Sequence, residues 1–488
     1  MFNAPWFLFL FFPIVLALYY TLSRLASRSR NAFLLVASLL FYAIVEARLG
    51  SLLIASILVN YFMGRMLGRA RGARSRKLIL ILGVLTNLGP LVAFKYSAFL
   101  ATSLNELLSL VNTDSISIPR LALPLGISFF TFRALSYLVD VYRGDTRSQR
   151  NLVSIGLYIS FFPQLIAGPI ARYSQMEERL DQRHVGLSDV ADGARRFIVG
   201  LAKKVLIADV IGQNVGRIFG LEPSNLTTGL AWLGAAAYTL QIFYDFSGYT
   251  DMAIGLSRMF GFACPENFDA PYWSTSIREF WRRWHMTLSR WLRDYVYIPL
   301  GGNRRRAGRT WLNLLLVFLV CGIWHGAGWT FIVWGLYHGI FMLVERAGVL
   351  RAVTDRYRPL GRLYAILAVA VGWVIFRSPT LGQAGAYLGA MFGGGASNQT
   401  ILPSAYFWDP QFIAAMIVGC FLCIPWRELA SRRSTFLGRA TALGAPAVAP
   451  MWRGLSAAIA SVVLILLLLA AVIHIAGGTY SAFIYAQF

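Results

Sequence analysis

Long apolar runs alternate with short basic segments along almost the whole chain. Several of these runs approach the roughly 20 residues that a helix needs to cross a hydrocarbon core about 30 Å thick. Because lipid offers the backbone no hydrogen-bond partners, apolar runs of this length predict membrane-spanning α-helices. The pattern predicts about ten or eleven spans, with the last over residues 455–476.

The N-terminal run, MFNAPWFLFLFFPIVLALYY, is interpreted as a retained first helix. It has the length of a signal peptide but lacks both the basic start and the small-residue cleavage site of one. The loops then set its orientation, because cytoplasmic loops are rich in Lys and Arg. Segments 23–30 and 65–77 are basic, whereas 99–118 and 220–228 have no Lys or Arg. We therefore expect both termini on the outer face.

One apolar run does not fit a simple crossing. Residues 151–171 lie between two basic stretches, 142–150 and 172–204, which the loop rule places on the same side. Pro163, Gly168 and Pro169 interrupt the run and disfavour a continuous helix. The sequence predicts a re-entrant segment or a buried hairpin here.

A second apolar hairpin carries a histidine at its tip. Its predicted arms, 310–323 and 329–344, lie between basic flanks and are short for full spans, and His325 stands at the turn. An ionisable side chain at membrane depth predicts a functional site. The alternative is a buried neutral histidine that donates to a carbonyl, which suits His338 and His474 better than His325. His184 lies in a polar loop.

The segment 277–295 has two contrasting faces when it is placed on a helix. Aromatic and aliphatic residues occupy one arc, arginines another, and His285 lies at the border. Such a helix is typical of the membrane interface. The arginines, with Arg282 and Arg283 as the strongest candidates, serve either as interfacial anchors or as ligands for the phosphates of an anionic cofactor.

Two acidic residues accompany these histidines in the sequence. Asp245 and Asp251 lie in YDFSGYTDMAIGLSRMFGF, beside a span that ends at the cytoplasmic side. Carboxylates in such places orient a histidine or pair with arginines. A capping or helix-end role is equally open for Asp251. Both are predicted as supporting residues of the site.

Composition excludes a soluble protein and disfavours nucleic-acid binding. Of the 488 residues, 57% are hydrophobic and 14% charged, and the net charge is +23. A soluble domain has about 25% charged residues. The basic residues lie in loops, as the bilayer explanation requires, so no nucleic-acid partner is expected. The cysteines show no zinc-type pairing; Cys420 and Cys423 are interpreted as packing residues, and no metal site is predicted.

The longer motifs of the chain resemble the membrane-bound O-acyltransferase family, in its bacterial alginate O-acetyltransferase branch. The resemblance rests on FWRRWHMTLSRWLRDYVYIPLGGNRR and GIWHGAGWTFIVWGLYHG, and it extends through LPLGISFFTFRALSYLVDVYRGD, FFPQLIAGPIARY and the ending SAFIYAQF. It implies an all-α polytopic protein with a ring of membrane helices, re-entrant hairpins and interfacial helices. We expect a single domain over residues 1–488, with N-terminal helices to 150, a catalytic core over 151–345 and C-terminal helices over 346–488.

The resemblance also implies a function. His325 matches the histidine of the family's WHG motif, and His285 matches that of the WRRWH motif. The expected donor is acetyl-CoA, with no bound cofactor, and the acetyl group passes outward across the bacterial inner membrane. Periplasmic partner proteins then complete the transfer to an exported polysaccharide, with alginate the usual acceptor and cellulose or peptidoglycan the alternatives. Both termini are then periplasmic.

Acyl transfer from a thioester assigns a role to each candidate residue. His325 is the predicted general base, a role that typically contributes about 10²–10⁴-fold, and His285 orients the thioester or stabilises the oxyanion. Trp324 and Trp329 are expected to wall the tunnel. Cys321, one turn before His325, is a candidate substrate-binding residue that could form an acyl-enzyme.

Three other functions remain open at this point. A transporter or flippase also has broken helices and a histidine at membrane depth, but the chain shows no inverted repeat. A non-enzymatic scaffold has no need for ionisable groups at membrane depth. Within the enzymes, D-alanyl transfer to teichoic acids from a carrier-protein thioester is the alternative.

Overall fold

The computed structural model describes most of the chain, and in that part all regular structure is helical, as the sequence predicts. The described residues are 2–22, 27–119, 121–183, 185–304, 306–350, 352–394, 407–426, 449–478 and 483–484. His184 and nearly all of the basic segment 426–439 lie outside them.

Eighteen α-helices follow one another in the described residues. They are α1 Phe12–Thr21, α2 Ser27–Val45, α3 Gly50–Arg69, α4 Ala73–Leu110, α5 Ile127–Arg143, α6 Leu152–Ser160, α7 Tyr173–Asp181, α8 Leu187–Ala202, α9 Asp209–Phe219, α10 Thr228–Met259, α11 Ile277–Arg283, α12 Met286–Leu292, α13 Ala307–His325, α14 Trp329–Ala347, α15 Arg358–Arg377, α16 Leu381–Gly389, α17 Pro410–Leu422 and α18 Ala449–Ala476. Short π-helical segments precede α1, α9 and α15 and follow α12 and α16.

The apolar helices identify a multi-pass membrane protein. In the described residues, five helices are long and apolar enough to cross a bilayer: α3, α4, α13, α15 and residues 458–476 of α18. Four shorter apolar helices accompany them, among them Phe7–Thr21, which contains the predicted first helix. Many large apolar side chains on these helices are exposed, as lipid-facing positions are. The total of about ten or eleven spans stays a prediction.

Glycines bring α8 and α10 into direct backbone contact. Gly193 and Gly200 on α8 face Gly255 and Gly248 on α10. A β-carbon on Gly255 would lie 2.5 Å from the carbonyl oxygen of Gly193, and one on Gly200 would lie 2.6 Å from that of Gly248. Small residues at a contact let the backbones of membrane helices approach closely. We refer to these four glycines as the glycine seam.

The helical hairpin predicted around His325 is present, but its arms are longer than expected. Helices α13 and α14 have 19 residues each, about 28 Å at 1.5 Å per residue, and α13 is long enough for a full span. The arms pack closely because Gly322 and Gly335 leave no room for a side chain between them. The prediction that the arms are short for full spans is therefore wrong for α13 and stays a prediction for α14.

The predicted break within residues 151–171 is confirmed. Helix α6 ends at Ser160, a single 3-10 turn follows over Phe162–Gln164, and the chain stays irregular up to α7. Every residue from 154 to 171 is buried, so the segment is enclosed by protein. Irregular backbone at membrane depth is tolerated only in such surroundings.

The prediction of one continuous helix over residues 277–295 is wrong. The chain forms α11 and α12, and between them His285 adopts a left-handed backbone with φ of 42°. The aromatic arc is present, but Trp281, Trp284 and Trp291 are buried inside the protein. The periodicity indicated the buried face correctly. The helix is interrupted at His285, where the next N–H, that of Met286, bonds to the carbonyl oxygen of Asn267.

We predict that Gly255→Ala destabilises the protein. Its methyl group would overlap backbone atoms of α8 that cannot rotate away, and overpacking of this kind costs about 1–3 kcal/mol. The melting temperature of the detergent-solubilised protein measures the effect. Gly385→Ala is the matched control, because Gly385 is an exposed glycine of α16 with nothing within 4 Å of its added β-carbon. Equal melting temperatures for the two variants would contradict the role of the glycine seam.

Candidate active site

His325 is the last residue of α13, at the tip of the hairpin. Its side chain is 3% exposed. Its ring lies against those of Trp324, Trp334 and Phe376, at centroid distances of 4.7, 5.0 and 5.3 Å. The next residue, Gly326, is extended, and a side chain there would overlap a neighbouring aromatic ring. The tip is thus a tight turn that holds an imidazole among aromatic rings.

His285 fills the break between α11 and α12, and Asn267 holds it there. The carbonyl oxygen of Asn267 accepts from the N–H of Met286 at 2.9 Å. Its side-chain Oδ1 accepts from the N–H and Oγ1 of Thr287 at 3.2 and 2.8 Å. The same Oδ1 lies 3.1 Å from Nδ1 of the fully buried His285. Asn267 therefore sets both the backbone and the ring of this histidine.

These contacts fix the tautomer of His285. Because Oδ1 of Asn267 accepts from a backbone N–H, it is an acceptor, so Nδ1 of His285 carries the proton and donates to it. Nε2 then keeps its lone pair, and no described residue bonds to it. Burial lowers the pKa of His285 to about 3. The ring is therefore neutral near pH 7, with an acceptor at Nε2.

Both imidazoles contact the same indole. The ring centroid of Trp324 lies 5.9 Å from that of His285 and 4.7 Å from that of His325. Trp324 is buried, and its Nε1–H has no hydrogen-bond partner among the residues described. The two histidines that the family motifs single out thus lie close to the same tryptophan.

A cavity of about 760 Å³ lies at the base of the hairpin. Two acids line it, Glu345 and Asp355. They are outnumbered by four arginines, Arg278, Arg282, Arg293 and Arg346. Along α13 the lining runs from Leu314 to Cys321. Cys321 precedes His325 by one helical turn, which is about 6 Å along the axis. The cavity is therefore basic at its mouth and approaches the histidine tip along α13.

The two candidate arginines have different surroundings. Arg282 is exposed and lines the cavity, as a phosphate ligand would. Arg283 instead pairs with Glu279 at 3.0 Å and with Asp269 at 3.6 Å, and it does not line the cavity. Of the two, only Arg282 lies at the cavity, and the assignment of either arginine to the CoA phosphates stays a prediction.

Glu345 joins the hairpin to the start of α11, the helix that precedes His285. Its carboxylate accepts from the N–H groups of Ile277 and Arg278, at 2.6 and 3.0 Å, at the start of α11. The hydroxyl of Tyr364 donates to it at 3.1 Å. A carboxylate at a helix N-terminus satisfies free N–H groups and complements the helix dipole. The cavity wall formed by α11 is thereby fixed to α14.

The structure does not place Trp329 in the wall of the cavity. Its side chain is 50% exposed and lies edge-on to Phe99 at 5.6 Å. It is the first residue of α14, beyond the turn, and its ring contacts α4 through Phe99 rather than the cavity lining. Only Trp324 of the two predicted tryptophans contacts the histidines.

His338 and His474 lie within helices, as expected for histidines with a packing role rather than a catalytic one. His338 is fully buried in α14, with its ring 5.3 Å from that of Trp281 and 5.1 Å from that of Trp334. Neither of its ring nitrogens has a hydrogen-bond partner in the described part of the chain, so the expected bond to a carbonyl is not formed. His474 lies in the last turn of α18.

Asp245 and Asp251 are paired with basic side chains rather than with the histidines. Asp245 forms a buried ion pair with Lys204 at 2.6 Å. Asp251 pairs with Arg196 at 2.9 Å and with Lys203 at 2.7 Å, in the middle of α10 rather than at its end. Of the roles predicted for these acids, the structure shows pairing with basic side chains, including Arg196, whereas the amide of Asn267 holds the ring of His285.

Helix α4 supplies contacts that sequence analysis missed. Nζ of Lys95 donates to the carbonyl oxygens of Trp324 and His325, at 2.6 and 3.3 Å. The hydroxyl of Tyr96 donates to that of Ile323 at 2.7 Å. The position of Lys95 inside an apolar run could have indicated a functional contact in the sequence. Asn267, in the irregular segment after α10, had no comparable sign.

The cysteines form no ligand cluster within the residues described, where no group of three His, Cys, Asp or Glu side chains is placed to bind a metal. Cys420 and Cys423 lie at the end of α17, and Cys423 packs against the hydroxyl of Tyr244 at 3.4 Å. All four thiols are free.

The chain is similar to known proteins along its whole length. It is 41% identical to a probable alginate O-acetylase of Pseudomonas putida, over the full length of both chains. It is 37% identical to a peptidoglycan O-acetyltransferase of Helicobacter pylori, over 80% of each chain. It is also 29% identical to a teichoic acid D-alanyltransferase of Bacillus subtilis, over 51% of this chain and 65% of that protein.

The family model for membrane-bound O-acyltransferases matches residues 143–381, which include both histidines and the arginine-lined cavity. With the full-length identity to the Pseudomonas protein, this settles the membership of the chain. The protein is an O-acyltransferase and belongs to the membrane-bound O-acyltransferase family.

Proposed function

We propose that this O-acyltransferase takes an acetyl group from cytoplasmic acetyl-CoA and passes it across the inner membrane for O-acetylation of an exported polysaccharide. Alginate is the first candidate acceptor, because the relative matched over its full length is named a probable alginate O-acetylase. Peptidoglycan is the next, from the name of the Helicobacter relative.

The position of the cavity carries this proposal. Arginines at its mouth suit the phosphates of CoA, since guanidinium groups bind phosphate through paired hydrogen bonds. Its volume of about 760 Å³ is in the usual range for a ligand pocket. A ligand that followed the lining of α13 would bring its reactive end to Cys321, one turn from His325.

In the proposed reaction, the acceptor oxygen attacks the thioester carbonyl while His325 removes the hydroxyl proton. The carbon–sulfur bond then breaks, and the imidazolium returns the proton to the departing CoA sulfur. His285 cannot donate to the oxyanion from the Nδ1–H tautomer, because its Nε2 is an acceptor. We assign it instead to positioning Trp324, which its ring contacts, and we assign the oxyanion contact to the indole N–H of Trp324.

The direction of transfer follows from the loops. The cavity opens beside the basic segments 301–309 and 345–358, which the loop rule places in the cytoplasm. Both chain termini then lie in the periplasm. There we propose that a polysaccharide-modifying partner protein receives the acetyl group.

D-alanyl transfer from a carrier-protein thioester is the second candidate, because the Bacillus relative is named a teichoic acid D-alanyltransferase. A donor exchange separates the two functions. Purified protein in liposomes receives acetyl-labelled CoA or a D-alanyl carrier protein, with and without a periplasmic extract. Release of free CoA supports acetyl transfer, whereas turnover of the carrier protein alone supports D-alanyl transfer.

We predict that His325→Ala abolishes acetyl transfer while the protein still folds. Loss of a positioned base lowers the rate by about 10²–10⁴-fold. CoA release per mole of folded protein measures the effect, and the melting temperature checks the fold. His474→Ala is the control, because α18 packs on α8 and on the segment after it rather than on the hairpin. If activity falls only because His325→Ala is missing from the membrane, the histidine is structural.

We predict that Arg282→Ala raises the KM for acetyl-CoA more than Arg283→Ala does. Only Arg282 lines the cavity, and a hydrogen bond to a charged group contributes about 1.5–3 kcal/mol. The expected rise for Arg282→Ala is about tenfold or more, since 1.4 kcal/mol equals a factor of ten. Initial rates over a range of acetyl-CoA concentrations give the KM of each variant. Equal KM values for the two variants would place the donor phosphates elsewhere.

A further inference from the structure

The hairpin tip presents free backbone carbonyls at the place where His325 lies. The last four C=O groups of an α-helix have no partner within the helix. In α13 these groups belong to the residues that end with His325, because the next residue is extended and ends the helical pattern. Inside a membrane protein, water does not freely replace the missing donors. The donors must come from another element.

Helix α4 provides these donors from outside the hairpin. Nζ of Lys95 lies 2.6 Å from the carbonyl oxygen of Trp324 and 3.3 Å from that of His325. The hydroxyl of the next residue, Tyr96, lies 2.7 Å from the carbonyl oxygen of Ile323. Three consecutive carbonyls at the end of α13 are thus held by two consecutive side chains of α4.

The partners of Lys95 show what its charge does. In the part of the chain that the structure describes, no carboxylate lies within ion-pair distance of its ammonium group, and both of its hydrogen bonds go to carbonyls. A cation at a helix C-terminus is attracted by the negative end of the helix dipole. The charge is therefore directed at the end of α13.

We propose that Lys95 is a positioning residue for His325, which fixes the peptide groups on both sides of the histidine Cα and so sets the direction of the imidazole. This inference rests on the proposed acetyl transfer for its kinetic consequence. Lys95 does not line the donor cavity, so it acts on the reaction through His325 alone. Displacement of a reacting group by about 1 Å costs on the order of 100-fold in rate.

The chain offers its own matched control. Tyr96 holds the same helix end, but at Ile323, two residues before the histidine. Tyr96→Phe removes one hydrogen bond without changing the shape of the side chain. A general contribution to helix stability predicts the same effect from both residues, whereas positioning of His325 predicts a larger effect from Lys95.

The experiment compares Lys95→Met, Lys95→Arg and Tyr96→Phe with the unmodified full chain in liposomes. We measure kcat and the KM for acetyl-CoA, the melting temperature, and hydrogen–deuterium exchange over residues 321–331. We expect Lys95→Met to lower kcat by about 100-fold with an unchanged KM and faster exchange at the tip. Lys95→Arg should restore most of kcat, because a guanidinium also donates to carbonyls. Tyr96→Phe should keep most of kcat.

Two results overturn the inference: a normal kcat in Lys95→Met, or equal kcat losses in Lys95→Met and Tyr96→Phe that follow their melting temperatures. Failure of the proposed function looks different, since the unmodified protein would then transfer no acetyl group. Hydrogen–deuterium exchange still tests the contact in that case. Unchanged exchange at the tip in Lys95→Met would show that Lys95 does not hold it.

Discussion

The structure depends on how helix ends are satisfied inside a membrane protein. Long cationic side chains donate to carbonyl groups that have no partner in their own helix. Lys95 does so at the end of α13, and Arg133 does so at the end of α6, where it donates to the carbonyls of Tyr158 and Ile159. Arg76 donates to the carbonyl of Tyr142 in the last turn of α5. Without such donors, each buried carbonyl would cost a large part of its hydration energy.

This way of ending helices explains where the candidate site lies. His325 is the final residue of a helix, and His285 stands between two helices. Both positions leave backbone groups free, and both are held by residues that are distant in sequence, Lys95 and Asn267. A continuous helix would satisfy its own backbone, but it would offer no turn in which two imidazoles approach a single indole.

The sequence predicted the parts of the structure that depend on hydrophobic pattern. The hairpin around His325 and the buried break before α7 follow from apolar runs, breakers and basic loops, which are local features. The family motifs supplied the pairing of His325 with His285. The sequence did not show that His285 interrupts a helix, because the cause is a hydrogen bond to Asn267, 18 residues away in the chain. It also did not separate Arg282 from Arg283, since their difference lies in the neighbours that folding brings to each.

The glycine seam between α8 and α10 has a consequence for the history of the gene. At Gly193, Gly200, Gly248 and Gly255 the nearest opposing atom is a main-chain carbonyl oxygen, which substitutions elsewhere do not remove. Every missense change of a glycine codon adds at least one carbon atom to the residue. Compensation by a second mutation is therefore harder here than in a core of side chains, where a neighbour can become smaller. Lipid-facing positions are free to drift between apolar residues, while every missense change at these four codons carries a packing cost.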